Sequence, residues 1–194
     1  MSSIESMIAR EIAESITVKQ RLLDDSALLA QIHRVCELLR AAYGRGNKVL
    51  LAGNGGSAAD AQHIAAELVV RYQAQRPALP ALALTTDTSI LTAASNDYGY
   101  EQVFCRQLNA HARPGDVFIA LSTSGQSPNI LAALQTGAAL GVTRIGLTGA
   151  NGAEMLACCE ECIQVPTRVT ARAQEAHILL GHIFCHTIEQ GMLA

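Results

Sequence analysis

The chain has 194 residues, enough for one domain with a substantial core and too few for two independent enzymatic domains. Hydrophobic residues make up 49% and charged residues 16%, which excludes a disordered chain, and aromatics at 4% leave the core to aliphatic side chains and alanine. A net charge of -3 without any basic run argues against a general nucleic-acid binder, and so weakly charged an exterior suits partial burial in an oligomer.

In chain order, MSSIESMIARE carries Glu5 and Glu11 among its apolar residues, so it is unlike a signal peptide. No apolar run reaches the roughly 18 to 20 residues of a membrane span, and a cytoplasmic protein is expected. Ile4, Ile8, Ile12 and Ile16, with Met7 beside them, predict an amphipathic helix whose partner is a second helix over Leu28–Ala42. YGRGN ends that pattern. Lys48–Ala52 predicts a strand running into GNGGS, with a helix starting near Ser57 and capped by it. Further strands are expected at Ala81–Leu84, Val117–Leu121, Thr143–Leu147 and Cys162–Val165, and a terminal helix from about Thr170. Strands alternating with helical segments predict a three-layer α/β/α sandwich with a central parallel sheet. Six cysteines, including Cys159 and Cys162 in a CxxC, read as core packing because no second close pair completes a four-cysteine metal spacing.

Two polar loops follow predicted strands. In LAGNGGSAAD the glycines permit close backbone approach, Asn54 offers an amide and Ser57 a hydroxyl, which suits an anion or a polyol. The loop matches neither a Walker A sequence nor GxGxxG, and the same residues would serve a plain tight turn. In LSTSGQSPNI, Ser122, Thr123, Ser124 and Ser127 gather hydroxyls at a strand end and a helix start, either as a phosphate cradle or as local caps. In a parallel sheet both loops can converge at the carboxyl ends of neighbouring strands.

On a helix, His63 and Glu67 share a face and Arg71 extends it, giving either a metal or proton-transfer face or a solvated Glu67–Arg71 pair. In RAQEAHILLGHIFCH, Gln174 and His182 lie about two turns apart. With His63 and Glu67 they offer two nitrogen and two oxygen donors, a set zinc accepts, although glutamine is a less common ligand. His177 and His186 read as packed histidines. A carboxylate and an imidazole, here Glu67 and His182, can move a proton between adjacent carbons of a carbonyl sugar through an enediol, without a redox cofactor.

Taken in order, GNGGSAADAQHIAAELVVRY, SNDYG, STSGQS and RAQEAHILLGH resemble the bacterial phosphoheptose isomerases of the sugar isomerase (SIS) domain superfamily, over essentially the whole chain. The resemblance implies a single SIS domain over residues 1–194 with a flavodoxin-like or Rossmann-like core. Residues 1–45 would form N-terminal helices involved in assembly. It implies a homotetramer with sites between subunits and one Zn2+ per subunit. The implied substrate is a phosphorylated seven-carbon sugar, and neither nucleic acid nor a membrane is a partner. The implied reaction converts sedoheptulose 7-phosphate to D-glycero-D-manno-heptose 7-phosphate, the first step toward the ADP-heptose of lipopolysaccharide.

By the same resemblance, Asn54, Gly55, Gly56 and Ser57 belong to the substrate loop, Asn96 and Asp97 contact the sugar, and Ser122, Thr123, Ser124 and Ser127 bind phosphate. His63, Glu67, Gln174 and His182 match metal positions, with Glu67 and Gln174 also facing substrate. Glu67 and His182 match the acid-base pair, and Arg71 orients the substrate or Glu67. A related branch shares the scaffold but binds the replication initiator. That branch tends to lack the carboxylate that stands here as Glu67. Ala171 departs from isomerases that carry an aspartate at that position, which weakens the expected contacts of the terminal loop.

Overall fold

Along the apolar segments every second side chain points to the same side, so a sheet built from them must be covered on both faces. The computed structural model, which describes residues 3–193, shows that arrangement. Strands β1 (Val49–Gly53), β2 (Ala81–Ala83), β3 (Val117–Ser122), β4 (Thr143–Thr148) and β5 (Glu161–Gln164) form one parallel sheet in the order β2-β1-β3-β4-β5. Helices α1 (Ser3–Asp24), α2 (Ser26–Gly44), α3 (Gly56–Val69) and α8 (Thr170–Leu193) cover one face. Helices α4 (Thr88–Tyr98), α5 (Val103–His111), α6 (Pro128–Ala139) and the short α7 (Ala153–Leu156) cover the other.

The strand alternation sorts the core. Leu51, Ile119, Leu121, Ile145 and Leu147 pack toward α2, α3 and α8, against residues such as Leu39, Ile64, Leu180 and Phe184. Leu50, Ala52, Phe118 and Ala120 pack the opposite way, against Phe104, Leu108, Ile130 and Leu134. The chain leaves β1 toward β2 and returns to β3 on β1's other side, and in such a sheet ligands bind where the strand order reverses. Gly53 of β1 is paired with Leu121 of β3, so the loops that follow these strands are neighbours.

The expected strands are present with ends displaced by a residue or so, and the second helix is longer than Leu28–Ala42. Its start is set by Asp25, whose carboxylate accepts the Leu28 amide at 2.9 Å. Ser57 does not cap α3. Gly55 occupies that position at φ +57, a conformation favouring glycine, and the helix begins one residue before the serine.

The first helix departs more. Ile4, Ile12 and Ile16 are 64%, 57% and 61% exposed, and Met7 and Ile8 are exposed with them, so the stripe does not pack on the second helix. α1 instead buries Val18 and Leu22 and is tied to α8 by polar contacts: Arg172 donates to the Glu11 carbonyl at 2.5 Å and the Ser15 hydroxyl to Glu175 at 2.6 Å. Periodicity identifies the apolar side of a helix but not the surface that covers it.

Of the cysteines, Cys36, Cys105, Cys162 and Cys185 are buried and Cys158 and Cys159 half-buried, all as free thiols. A Cβ on Gly146 would sit 2.7 Å from the Cys162 sulfur and 3.0 Å from that of Cys159, so the CxxC thiols fill the space beside that glycine.

His177 is fully buried, and burial pushes its imidazole down to about 4. Between that value and the ordinary 6.5 the unfolded chain binds a proton that the folded chain does not, so stability falls as pH drops through this window. The loss attributable to this residue amounts to about 3 kcal/mol. Urea unfolding from pH 7 to pH 4 is expected to show it, and His177→Leu to flatten that limb. A limb unchanged in the variant would contradict the assignment.

Candidate active site

α3 places His63 and Glu67 one turn apart, and the His63 Nε2 lies 3.2 Å from the Glu67 Oε1. α8 brings His182 to the same point: its Nε2 is 3.1 Å from the His63 Nε2. The helices approach closely here because residue 181 is glycine. A Cβ at Gly181 would lie 2.5 Å from the side chain of Ile64, and any larger residue would push His182 away from α3. The ligand atoms of His63, Glu67 and His182 all fall within 4.8 Å of one another.

This donor set fits a metal ion. Two imidazole nitrogens and a carboxylate oxygen make up a familiar catalytic zinc set, and ligands on a tetrahedral ion lie on the order of 3.3 Å apart. Asp60, one turn before His63, has a buried Oδ2 with no hydrogen-bond partner among the described residues. Burial raises the pKa of that carboxyl, with His63 opposing.

The two polar loops meet around a cavity of about 320 Å³ at the β1–β3 edge. Its lining includes Asn54, Gly55, Gly56 and Ser57 from the first loop, Ser122, Thr123 and Ser127 from the second, and Thr170 and Gln174 from α8. The Gln174 amide packs against Gly56, where a Cβ would collide with it. Ser122 is buried, with its hydroxyl 3.0 Å from that of Ser127 and 3.4 Å from that of Ser124. Ser124 accepts the Gln126 amide at 3.2 Å. The cavity thus presents hydroxyls and amides with no cationic side chain among the described residues of its lining, a surface suited to a phosphate or a polyol.

Comparison with known proteins decides the family. A SIS domain family model matches residues 12–149. The phosphoheptose isomerase of Aneurinibacillus thermoaerophilus is 54% identical over 185 residues, covering 95% of this chain and 93% of that protein. Phosphoheptose isomerase 2 of Campylobacter jejuni is 52% identical over 190 residues, covering 98% and 94%. The chain belongs to the phosphoheptose isomerase family. Solved phosphoheptose isomerases share its fold as well: the Neisseria gonorrhoeae structure superposes with a TM-score of 0.91 at 40% identity, over 97% of this chain and 100% of that one. The Francisella tularensis structure gives 0.92 at 34% identity, over 98% and 100%.

Within this phosphoheptose isomerase fold three expected residues stand apart from both clusters. Arg71 lies beyond the end of α3 at Val69, so it cannot continue the His63–Glu67 face; it is exposed and donates to the Gln73 carbonyl at 3.4 Å. The helix salt bridge to Glu67 is therefore absent. Asn96 and Asp97 are exposed in the last turn of α4, where the Asn96 amide donates to Asp97 at 2.9 Å, and neither lines the loop cavity.

Two residues of the site were not singled out from sequence, although Asn129 lies within LSTSGQSPNI and Tyr100 directly follows SNDYG. Asn129 exchanges a reciprocal pair of hydrogen bonds with Asn54, at 2.8 and 2.9 Å, and the Tyr100 hydroxyl donates to the Asn54 oxygen at 3.0 Å. These contacts fix the orientation of an amide on a glycine-rich loop that would otherwise leave it free.

Proposed function

We propose that the enzyme interconverts sedoheptulose 7-phosphate and D-glycero-D-manno-heptose 7-phosphate as a zinc-dependent, cytoplasmic homotetramer, at the first step toward ADP-heptose. The observation that carries the reading is that α3 and α8, which bring His63, Glu67 and His182 together, also contribute residues to the hydroxyl-lined cavity between the two loops. The phosphoheptose isomerases that the chain resembles at above 50% identity supply the substrate class.

In this reading the hydroxyls of Ser122, Thr123, Ser124 and Ser127 donate to phosphate oxygens, and Asn54 engages the sugar hydroxyls. One member of the Glu67–His182 pair removes a proton from the carbon beside the carbonyl, and the C–H electron pair forms the C=C bond of the enediol as the carbonyl oxygen gains a proton. The other returns a proton to the former carbonyl carbon as the neighbouring hydroxyl gives up its own, leaving the new carbonyl. Oxidation of one carbon balances reduction of its neighbour, so no redox cofactor takes part. Zinc held by His63, Glu67, Gln174 and His182 would supply a positive charge that offsets the negative charge developing on the enediol oxygens. Arg71, Asn96 and Asp97, which do not line the cavity within one chain, belong in this reading to substrate contacts completed across subunits.

The exposed isoleucine stripe of α1 supports assembly through residues 1–45, because a contiguous apolar face of this kind is rarely left in water. Ile12→Glu is expected to yield a species smaller than the tetramer in light scattering. An unchanged mass would contradict a role for α1 in the interface. Among the described residues no helix is long and apolar enough to cross a membrane.

The deciding experiment supplies zinc to the purified protein and follows sedoheptulose 7-phosphate. Conversion to the heptose phosphate is expected. Selective binding of the replication initiator without turnover would favour the scaffold branch instead.

A further inference from the structure

The segment between α3 and β2 carries Tyr72, whose ring lies nearly parallel to the His182 imidazole, with centroids 5.5 Å apart and planes at 22°. The same ring meets His186 edge-on at 6.2 Å and 75°. Nothing in α3 itself holds Tyr72 there, since the helix ends at Val69. What holds it is Glu189. The carboxylate accepts the backbone amides of Tyr72, Gln73 and Ala74 at 2.7, 2.9 and 2.8 Å, and the Arg76 Nε at 3.0 Å. Arg76 in turn donates to the carbonyls of Glu67 and Leu68, at 2.7 and 2.9 Å.

The Arg76 and Glu189 side chains are each only 1% exposed. Glu189 stands seven residues, about two turns, beyond His182 on α8. One buried ion pair therefore reaches the Glu67 backbone on one side and, through Tyr72, the His182 ring on the other. A histidine that presents Nε2 to a metal or a substrate works only if its ring is held in orientation, a task its neighbours perform. For His182 that neighbour is an aromatic face.

We propose that Tyr72 is a positioning residue for His182, held over the imidazole by the Glu189–Arg76 clamp. The proposal rests on the reading of His63, Glu67 and His182 as the metal and acid-base site. It assigns Tyr72 no contact with the substrate.

The test compares wild type, Tyr72→Ala and Tyr72→Phe as assembled protein. Zinc affinity is measured by competition with a chromophoric chelator, ligand geometry by the absorption of the cobalt-substituted protein, and kcat and KM with sedoheptulose 7-phosphate. Tyr72→Ala is expected to weaken zinc binding and lower kcat by about 10-fold each, to alter the cobalt spectrum, and to leave KM within about twofold. Tyr72→Phe, which keeps the ring, is expected to restore all three. Glu189→Gln is expected to shift zinc affinity in the same direction by a smaller factor. Zinc affinity and kcat of Tyr72→Ala within twofold of wild type would overturn the proposal, as would a Tyr72→Phe variant as impaired as the alanine one. If wild type failed to turn over the sugar, the functional reading would fall, and zinc affinity with the cobalt spectrum would still decide the role of Tyr72.

Discussion

Glu67→Gln is expected to lower kcat by two to four orders of magnitude, the range lost when a positioned general acid or base is removed. The amide keeps the size and hydrogen-bonding reach of the carboxylate but cannot take up a proton at neutral pH. The fold should survive. Glu67 is half-buried, and what the neighbouring structure grips is its backbone carbonyl, through Arg76 at 2.7 Å, rather than its carboxylate. Steady-state kinetics with unchanged circular dichroism and unchanged assembly checks both halves of the expectation. Turnover within tenfold of wild type would remove Glu67 from the acid-base role.

Glu189→Ala is expected to have the largest effect on stability, about 3–5 kcal/mol, the range for removing one partner of a buried ion pair. The variant leaves the Arg76 guanidinium charged and buried, and it strips three backbone amides of their acceptor. Burial alone would raise the Glu189 carboxyl. The amides of Ala74, Gln73 and Tyr72, with Arg76, outweigh that and hold it below the ordinary carboxylate range. A carboxyl lowered in the folded state contributes stability above its unfolded value and loses it as pH falls through the folded one. Urea denaturation at pH 7 should therefore show most of the difference between wild type and variant, and the two should converge in strong acid. A midpoint change worth less than about 1 kcal/mol would show that the pair is not the anchor of residues 72–76.

The parts of this architecture readable from sequence were those set by local spacing. Continuous apolar runs in VLLAG and VFIALS mark strands because a parallel sheet buries both faces. His63 and Glu67 share a face because a helix turn is about four residues. The helical pattern did not show where α3 stops. It ran on through Val70 to Arg71, whereas the helix ends at Val69 and the chain turns to meet Glu189. The contact of His182 with His63 depends on the small Gly181 beside Ile64, a fact about two helices 119 residues apart in sequence. Asn129 and Tyr100 reach Asn54 across 75 and 46 residues, and no local pattern announces such partners. The stripe on α1 was legible as apolar, but spacing alone did not show that it stays exposed within the chain.

Conversion of sedoheptulose 7-phosphate by zinc-loaded protein in D2O, followed by NMR, tests the central claim most directly. The claim is that Glu67 and His182 carry a proton between adjacent carbons. His63 is exposed and Glu67 and His182 only half-buried, so a proton held there exchanges with solvent. The account predicts a heptose phosphate bearing deuterium at C2, with conversion and labelling both lost in Glu67→Gln. Product formed with no deuterium at C2 at any extent of conversion, or turnover that persists in Glu67→Gln, would contradict it.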